Sequence, residues 1–406
     1  MFLGLLVMAT GSGLFKPIIT GTIARTTDER TSAFGFGIYY WMINLGAFLA
    51  PLVVSVLKGF SWTYVFVASS AYCALMLLPA ALVYRDPPRP QSTKPLKEVL
   101  AGAAEVLGDA RFMLMVVVYS VFWILYFQTF GSVLWYLRDV VDKEPVSAAV
   151  TALLHSLGLE VTFRLDIERR TGVNAGTIVL LQVVVSRLVA TRKALPTMVT
   201  GMLLGAVGFI LLAASANPWV FIAGIAIFSI GEMTAHPKYY SFIGLVAPQD
   251  RKAVYMGYAF LYGVFGSLLG SNLGAFLYAR MVEPALGTAA IGRTTTLFWM
   301  MFAALDVLAA LALATFFRKF GEDTPDTRSR AARTMQLVYG LIGLLGAAFL
   351  VIGLTATPTQ IRTVVQALIF LGLAVGGIVI NRRGLAALSP PSQAPPAGAG
   401  RGPGAP

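Results

Sequence analysis

Residues 219–246 read WVFIAGIAIFSIGEMTAHPKYYSFIGLV, and this stretch decides the fold class. At about 1.5 Å per residue a helix of this length crosses a hydrocarbon layer of about 30 Å. Its apolar residues do not alternate with polar ones, so they do not make the short segments of a membrane β-barrel. An open sheet in lipid would leave backbone groups unpaired, and helices do not. Working outward, ten more runs of the same kind stand at about 1–23, 35–57, 62–84, 112–137, 174–191, 195–214, 253–278, 294–317, 334–354 and 361–380. The chain is therefore expected to be an all-α multi-pass membrane protein.

Composition agrees. Of 406 residues 57% are hydrophobic and 12% charged, and mean hydropathy is +0.75. Soluble domains carry about 25% charged residues to cover their surface. That excludes a soluble enzyme or a disordered polymer as a description of the whole chain. The single cysteine, Cys73, excludes a disulfide framework. With the two histidines far from it in sequence, no metal-ligand cluster forms and no cofactor is implied.

The net charge of +12 is explained by its placement. If 24–34, 85–111, 187–193, 247–252, 318–333 and the C-terminal tail face the cytoplasm, that side holds 20 Lys/Arg and the other 9. This is the positive-inside pattern of a cytoplasmic (inner) membrane protein, and it leaves no clustered basic face for nucleic acid. Five of the nine lie in 138–173 beside six acids, a mixed-charge external loop, part of it possible helix. Met1 opens directly into an apolar run without flanking Lys/Arg, so the natural start is expected upstream. Residues 85–111 read as a Pro-rich cytoplasmic linker, and 389–406 (SPPSQAPPAGAGRGPGAP) as a disordered tail.

An ionisable residue inside a span is costly and is a functional candidate by default. Lys16 in TGSGLFKP is suited to meet an anion or carboxylate, or else snorkels to the interface. Glu232, in the middle of the quoted run, is suited to reversible protonation or to a fixed interhelix salt bridge. His236 relays a proton or simply packs. Asp306 is a weaker candidate on a proton path. Asn44, Asn174, Gln182 and Gln128 bind a solute or glue helices together. Tyr39, Tyr40, Trp41, Trp123, Trp135, Tyr239 and Tyr240 line a pocket or form interfacial belts. Lys238 lies beyond Pro237 and reads as structural or gating. Gly266, Gly270 and Gly274 form a small-residue stripe whose expected meaning is helix packing.

Three segments carry a resemblance. GSGLFKP, FGFGIYYWMINLGAFLAPLV and IGEMTAHPKYYSFIGLVAPQDRKAVYMGYAFLYGVFGSLLG resemble, in order, the G-x-G-x-x-K-P, F-x-x-x-Y-x-x-I-N-x-G-A-F-x-A-P and G-E-x-x-x-x-P motifs of the proton-dependent oligopeptide transporter family of the major facilitator superfamily. The likeness covers about 1–320. It implies that the first run is the family's fourth helix, with three earlier helices absent. The implied domains are a partial N-terminal bundle at 1–84, the linker at 85–111, a six-helix bundle at 112–320 and two additional helices at 334–380. It implies alternating access around a central site, with peptide and protons as partners within the lipid bilayer. By the same likeness, Lys16 meets the peptide carboxylate or takes part in coupling. Asn44 and Asn174 bind peptide backbone or termini, Glu232 holds the amino group or influences the gate, and Tyr40, Trp123 and Gln128 complete the site.

Two positions depart from the family: Phe127 stands where an acid is usual, and Ala259 where Trp is frequent. The family's E-x-x-E-R motif is not in this chain. The expected function is proton-coupled symport of di- or tripeptides. The alternatives are a related carrier for another small amphiphilic or anionic solute, or a non-transporting membrane fragment. No acid, His or Cys constellation supports an enzyme, and no phosphate-binding loop supports ATP-driven transport.

Overall fold

A computed structural model describes residues 2–85, 95–165, 167–356 and 360–388, and among them every regular element is helical. The tail at 389–406 and residues 86–94 of the linker lie outside the described residues. Among the described residues ten helices are long and apolar enough to cross a membrane. The fifth run falls short: charged IERRTG precedes it, leaving Val173–Val189 as a shorter apolar helix.

The chain forms two compact units, residues 1–106 with 115–321, and 107–114 with 322–406. The first begins with α1 (Phe2–Thr26), α2 (Ser32–Phe60), α3 (Trp62–Leu75) and α4 (Leu77–Leu82). No residue of α3 is buried, and side chains such as Phe66 and Val67 present an apolar surface that suits lipid and not water. Within the 85–111 stretch lies α5 (Leu96–Gly108). Its Glu105 forms an ion pair with Arg251.

The spans after it are broken helices as well as whole ones. α6 (Ala110–Tyr126) passes into a 3-10 turn at Phe127–Phe130 before α7 (Ser132–Asp139). The 138–173 region contains α8 (Glu144–Ser156) and the start of α9 (Ile167–Val189). Next come α10 (Ala194–Ala214) and α11 (Pro218–Val246). α12 (Lys252–Ala259) and α13 (Leu261–Leu277) are two pieces of one span, interrupted at Phe260, and α14 (Ile291–Phe320) closes the unit.

Local chemistry sets these boundaries. Asn217 caps α11, its side-chain oxygen accepting from the Trp219 amide at 2.8 Å, with Pro218 at the first turn where no N–H is needed. α10 and α11 approach backbone to backbone. A Cβ on Gly208 would lie 2.7 Å from the Gly224 carbonyl oxygen, and one on Gly224 2.9 Å from that of Gly208. Glycine at both positions is what permits the contact. The stripe on α13 does the same against α6: a Cβ on Gly266 would lie 2.6 Å from the Trp123 Cβ, and one on Gly270 2.6 Å from the Ile124 oxygen.

The second unit holds the hairpin of α15 (Pro325–Thr355) and α16 (Ile361–Leu388). Thr324 and Thr327 exchange hydrogen bonds in a capping box at the start of α15. Asn381 donates to the Ala332 carbonyl at 2.6 Å, and Phe349 packs edge-on to Phe370. At its polar end Arg328 donates to Asp323 at 2.7 and 2.8 Å. These bonds hold the Asp323 carboxyl below its ordinary value of 3.8.

Candidate functional site

The first unit contains a cavity of about 630 Å³, within the range of small-molecule sites. One wall comes from α1 and α2. Lys16 stands on it beside Ser12, with Tyr39, Tyr40 and Asn44 from α2. Pro17 supplies no N–H, so the Gly13 carbonyl four residues back is released from the helix ladder at the edge of the cavity. Lys16 is exposed and has no ion-pair or hydrogen-bond partner among the described residues. Asn44 turns its amide nitrogen to the Tyr40 carbonyl at 2.9 Å, leaving its amide oxygen as an acceptor.

The rest of the lining is largely aromatic and comes mostly from the broken spans. Trp123 and Tyr126 lie in the last turn of α6, Phe127 opens the 3-10 turn, Phe260 is the α12–α13 interruption and Tyr262 follows it in α13. Interrupted helices recur at the binding sites of secondary transporters because they free backbone groups where a solute sits. His236 of α11 belongs to this lining. Tyr119 hydroxyl contacts its Nδ1 at 3.1 Å and Tyr262 hydroxyl its Nε2 at 3.4 Å. Tyr240 and Tyr262 hydroxyls are 2.9 Å apart. Trp123 and Tyr40 rings each stand 4.8 Å from the imidazole. The imidazole is thus wired on both nitrogens to phenols, with no carboxylate among its hydrogen-bond partners in the described residues.

Behind the α2 wall is a second polar node. Glu232, fully buried, accepts from the Tyr40 hydroxyl through Oε1 and from Asn174 Nδ2 at 3.0 Å through Oε2. The same Asn174 nitrogen donates to Ser229 at 2.8 Å. Tyr40 thereby has its ring on the cavity and its hydroxyl on the carboxylate. Pro237 in the same helix frees the Met233 carbonyl, and Gln182 reaches toward it at 3.5 Å while donating to Ser186 at 2.8 Å. Tyr40, Ile178 and Met233 form the buried apolar cluster that joins α2, α9 and α11 here.

So the cavity wall unites Lys16, Tyr40, Asn44, Trp123 and His236. Glu232 and Asn174 are joined to it through the Tyr40 hydroxyl. Gln128 lies apart: it donates to the carbonyls of Ile124 at 2.9 Å and Gly270 at 2.8 Å, and accepts from Ser132 at 2.8 Å. Those bonds knit the broken turn of α6 to α13. Asp306 lies apart too. It is fully buried on α14 in the notch left by Gly205, and neither oxygen has a hydrogen-bond partner among the described residues. Lys238 donates to the carbonyls of Ala190 and Arg192 at 3.0 and 2.7 Å, closing the C-terminal end of α9.

The aromatic residues divide in the same way. Tyr39, Tyr40, Trp123 and Tyr240 line the cavity. Trp41 instead donates to the Val179 carbonyl at 2.8 Å, Trp135 packs on Tyr278, and Tyr239 donates to the Ala259 carbonyl at 2.8 Å. Sequence reasoning passed over Tyr262, Phe260 and Tyr119. A signal existed for Tyr262, since Tyr255, Tyr258 and Tyr262 fall at helical spacing in VYMGYAFLYG. Nothing local marked Tyr119.

Residues 1–271 match the sequence profile of the Major Facilitator Superfamily. Over 88 residues the chain is 34% identical to the peptide transporter YePEPT of Yersinia enterocolitica subsp. palearctica serotype O:3 (strain YE-P4). That match takes in 21% of this chain and 16% of the transporter, so the chain spans about a sixth of the length of the curated relative it matches.

Proposed function

The chain belongs to the Major Facilitator Superfamily, and from that premise we propose that it is a secondary active transporter that moves di- or tripeptides in symport with protons across a cytoplasmic membrane by alternating access. The observation that carries this reading is the cavity itself. A lysine with no partner among the described residues shares this cavity with aromatic side chains from two interrupted spans. A peptide has an end that such a lysine attracts, and an apolar body that such side chains cover. The partial likeness to a peptide transporter supports the same solute class.

In this reading Lys16 draws the peptide carboxylate, and Asn44 bonds a peptide amide. Glu232, reached through Tyr40, takes and releases the proton, and Asn174 orients it. His236, held by tyrosines, is a second proton acceptor, and Asp306 a reserve carboxyl outside the cavity. The test is uptake of a labelled dipeptide into proteoliposomes under an inward proton gradient. Saturable uptake that collapses with the gradient, and falls in Lys16→Ala and Glu232→Gln, is expected. Uptake indifferent to the gradient and to both substitutions would overturn the proposal. A second reading, a carrier of another amphiphilic or anionic solute, is favoured by Phe127 in the cavity wall, where related transporters usually carry an acid.

A further inference from the structure

The second unit carries a charge pattern that the cavity does not use. Its apolar runs, 334–354 on α15 and 361–380 on α16, are bounded at one end by Arg333 and by Arg382 and Arg383. The 2.6 Å bond from Asn381 to the Ala332 carbonyl sets these three arginines at one level of the hairpin, because each is within two residues of it. All three are exposed, and none has an ion-pair or hydrogen-bond partner among the described residues.

Farther from the apolar runs the arginines are paired. Arg328 donates to Asp323 at 2.7 Å, Arg330 pairs with Asp326 at 2.8 Å, and Arg111 stands 3.4 Å from Asp323. Glu322 adds one more exposed acid there. Arg328 precedes Arg333 along α15 by five residues, which puts it about 7.5 Å farther out. Acids thus neutralise the outer layer and leave the layer next to the hydrocarbon positive. The phosphates of a bilayer lie at that inner depth.

The helix faces below the arginines complete the pattern. Leu337, Leu341 and Leu344 follow Arg333 at helical spacing on one face of α15, and all three are exposed. Val379, Val375 and Leu368 precede Arg383 in the same way on α16. Each face presents a guanidinium at headgroup level and apolar side chains along the depth of an acyl chain. A soluble anion uses only the first of these, and a phospholipid uses both. We propose that the α15–α16 hairpin binds anionic phospholipid, with Arg333, Arg382 and Arg383 taking the phosphate and the two apolar faces the acyl chains. A guanidinium fork matches phosphate oxygens in pairs. A zwitterionic lipid brings its own ammonium beside the phosphate, so its net charge is zero and the arginines attract it less.

The test is native mass spectrometry of the full chain in an uncharged maltoside detergent. It is titrated with phosphatidylglycerol or with phosphatidylcholine of the same acyl chains. Each arginine near a membrane surface is worth a factor of about five, so phosphatidylglycerol is expected to bind about a hundredfold tighter. Arg333→Gln should cut that preference about fivefold, and Arg382→Gln with Arg383→Gln about twentyfold. Arg362→Gln, an exposed arginine at the other end of the hairpin, should leave it in place. Glycerol phosphate, the headgroup without its chains, should not displace the lipid. Equal affinity for the two lipids overturns the proposal. So does a preference that persists in both arginine variants, or falls as far in Arg362→Gln, with helix content intact by circular dichroism. Displacement by glycerol phosphate at equal concentration overturns it in favour of a site for free anions.

Discussion

Gly270 on α13 is one of the glycines through which the helix that carries Tyr262 presses closely on the helix that carries Trp123. A Cβ there would lie 2.6 Å from the Ile124 oxygen, 3.0 Å from the Ile124 Cα and 3.1 Å from the Phe127 Cβ. Ordinary contact begins at 3.4 Å, and two of the three atoms are backbone, which cannot rotate aside. Gly270→Ala must therefore part the helices, stretching the 2.8 Å bond from Gln128 to the Gly270 carbonyl as it does so. Overpacking a tight core costs about 1–3 kcal/mol, and a rigid backbone neighbour places this case in the upper half. Alanine returns about 0.8–1.0 kcal/mol of helix propensity. The net is a loss of about 1–2 kcal/mol. Gly263→Ala, on the same helix but with nothing within 4 Å of its Cβ, returns the propensity without the clash. The two alanines should differ by about 2–3 kcal/mol in opposite directions from the parent. Detergent-solubilised protein titrated with SDS and followed by tryptophan fluorescence measures the difference. If Gly270→Ala is as stable as Gly263→Ala, the glycine stripe is not what sets the α6–α13 distance.

Three further outcomes follow from single groups. Lys238→Met removes the ammonium that donates to the Ala190 and Arg192 carbonyls. Hydrogen bonds from charged donors are worth about 1.5–3 kcal/mol, so amide exchange at 187–192 should quicken at least about tenfold, and unchanged exchange would show that α9 ends without this cap. Asp306→Asn should keep or raise the unfolding midpoint at pH 8, since the buried carboxyl has no hydrogen-bond partner among the described residues and an amide carries no charge to desolvate. A fall of more than about 1 kcal/mol would mean that a cation pairs with it. Asp323, whose folded-state pKa Arg328 lowers below 3.8, contributes stability that is present above about pH 4 and lost as pH falls through the lowered value. The half-exposed pair is worth under about 1 kcal/mol. The gap in unfolding midpoint between the parent and Asp323→Asn should accordingly be small at pH 6 and shrink as pH falls below about 4, and a gap that does not shrink on acidification would refute it.

The membrane class was legible because it depends on local composition: each span must be apolar over its own length, whatever its neighbours do. The breaks were not legible: α1 and α11 run on through Pro17 and Pro237, while the spans interrupted at 127–130 and at 260 hold no proline there. The glycine stripe was read as packing, and it packs. Side-chain partnership was less legible. Gln128 and Asn174 look alike as polar residues in apolar helices. Yet Gln128 ties the α6 turn to Gly270, and Asn174 turns to Glu232. The choice between glue and function lies in what stands opposite, which neither sequence neighbourhood records.

By itself, then, the sequence determined that the chain spans a membrane, where its charges are costly and which family motifs it carries, since each follows from residues close together along the chain. Tertiary structure alone decided that Lys16 shares a cavity with His236, that Tyr40 stands between that cavity and Glu232, and that Asp306 stays outside it. The physical reason is distance along the chain. Tyr40 and Glu232 are 192 residues apart, and a contact across that separation is fixed by how whole helices pack rather than by any pattern within one of them.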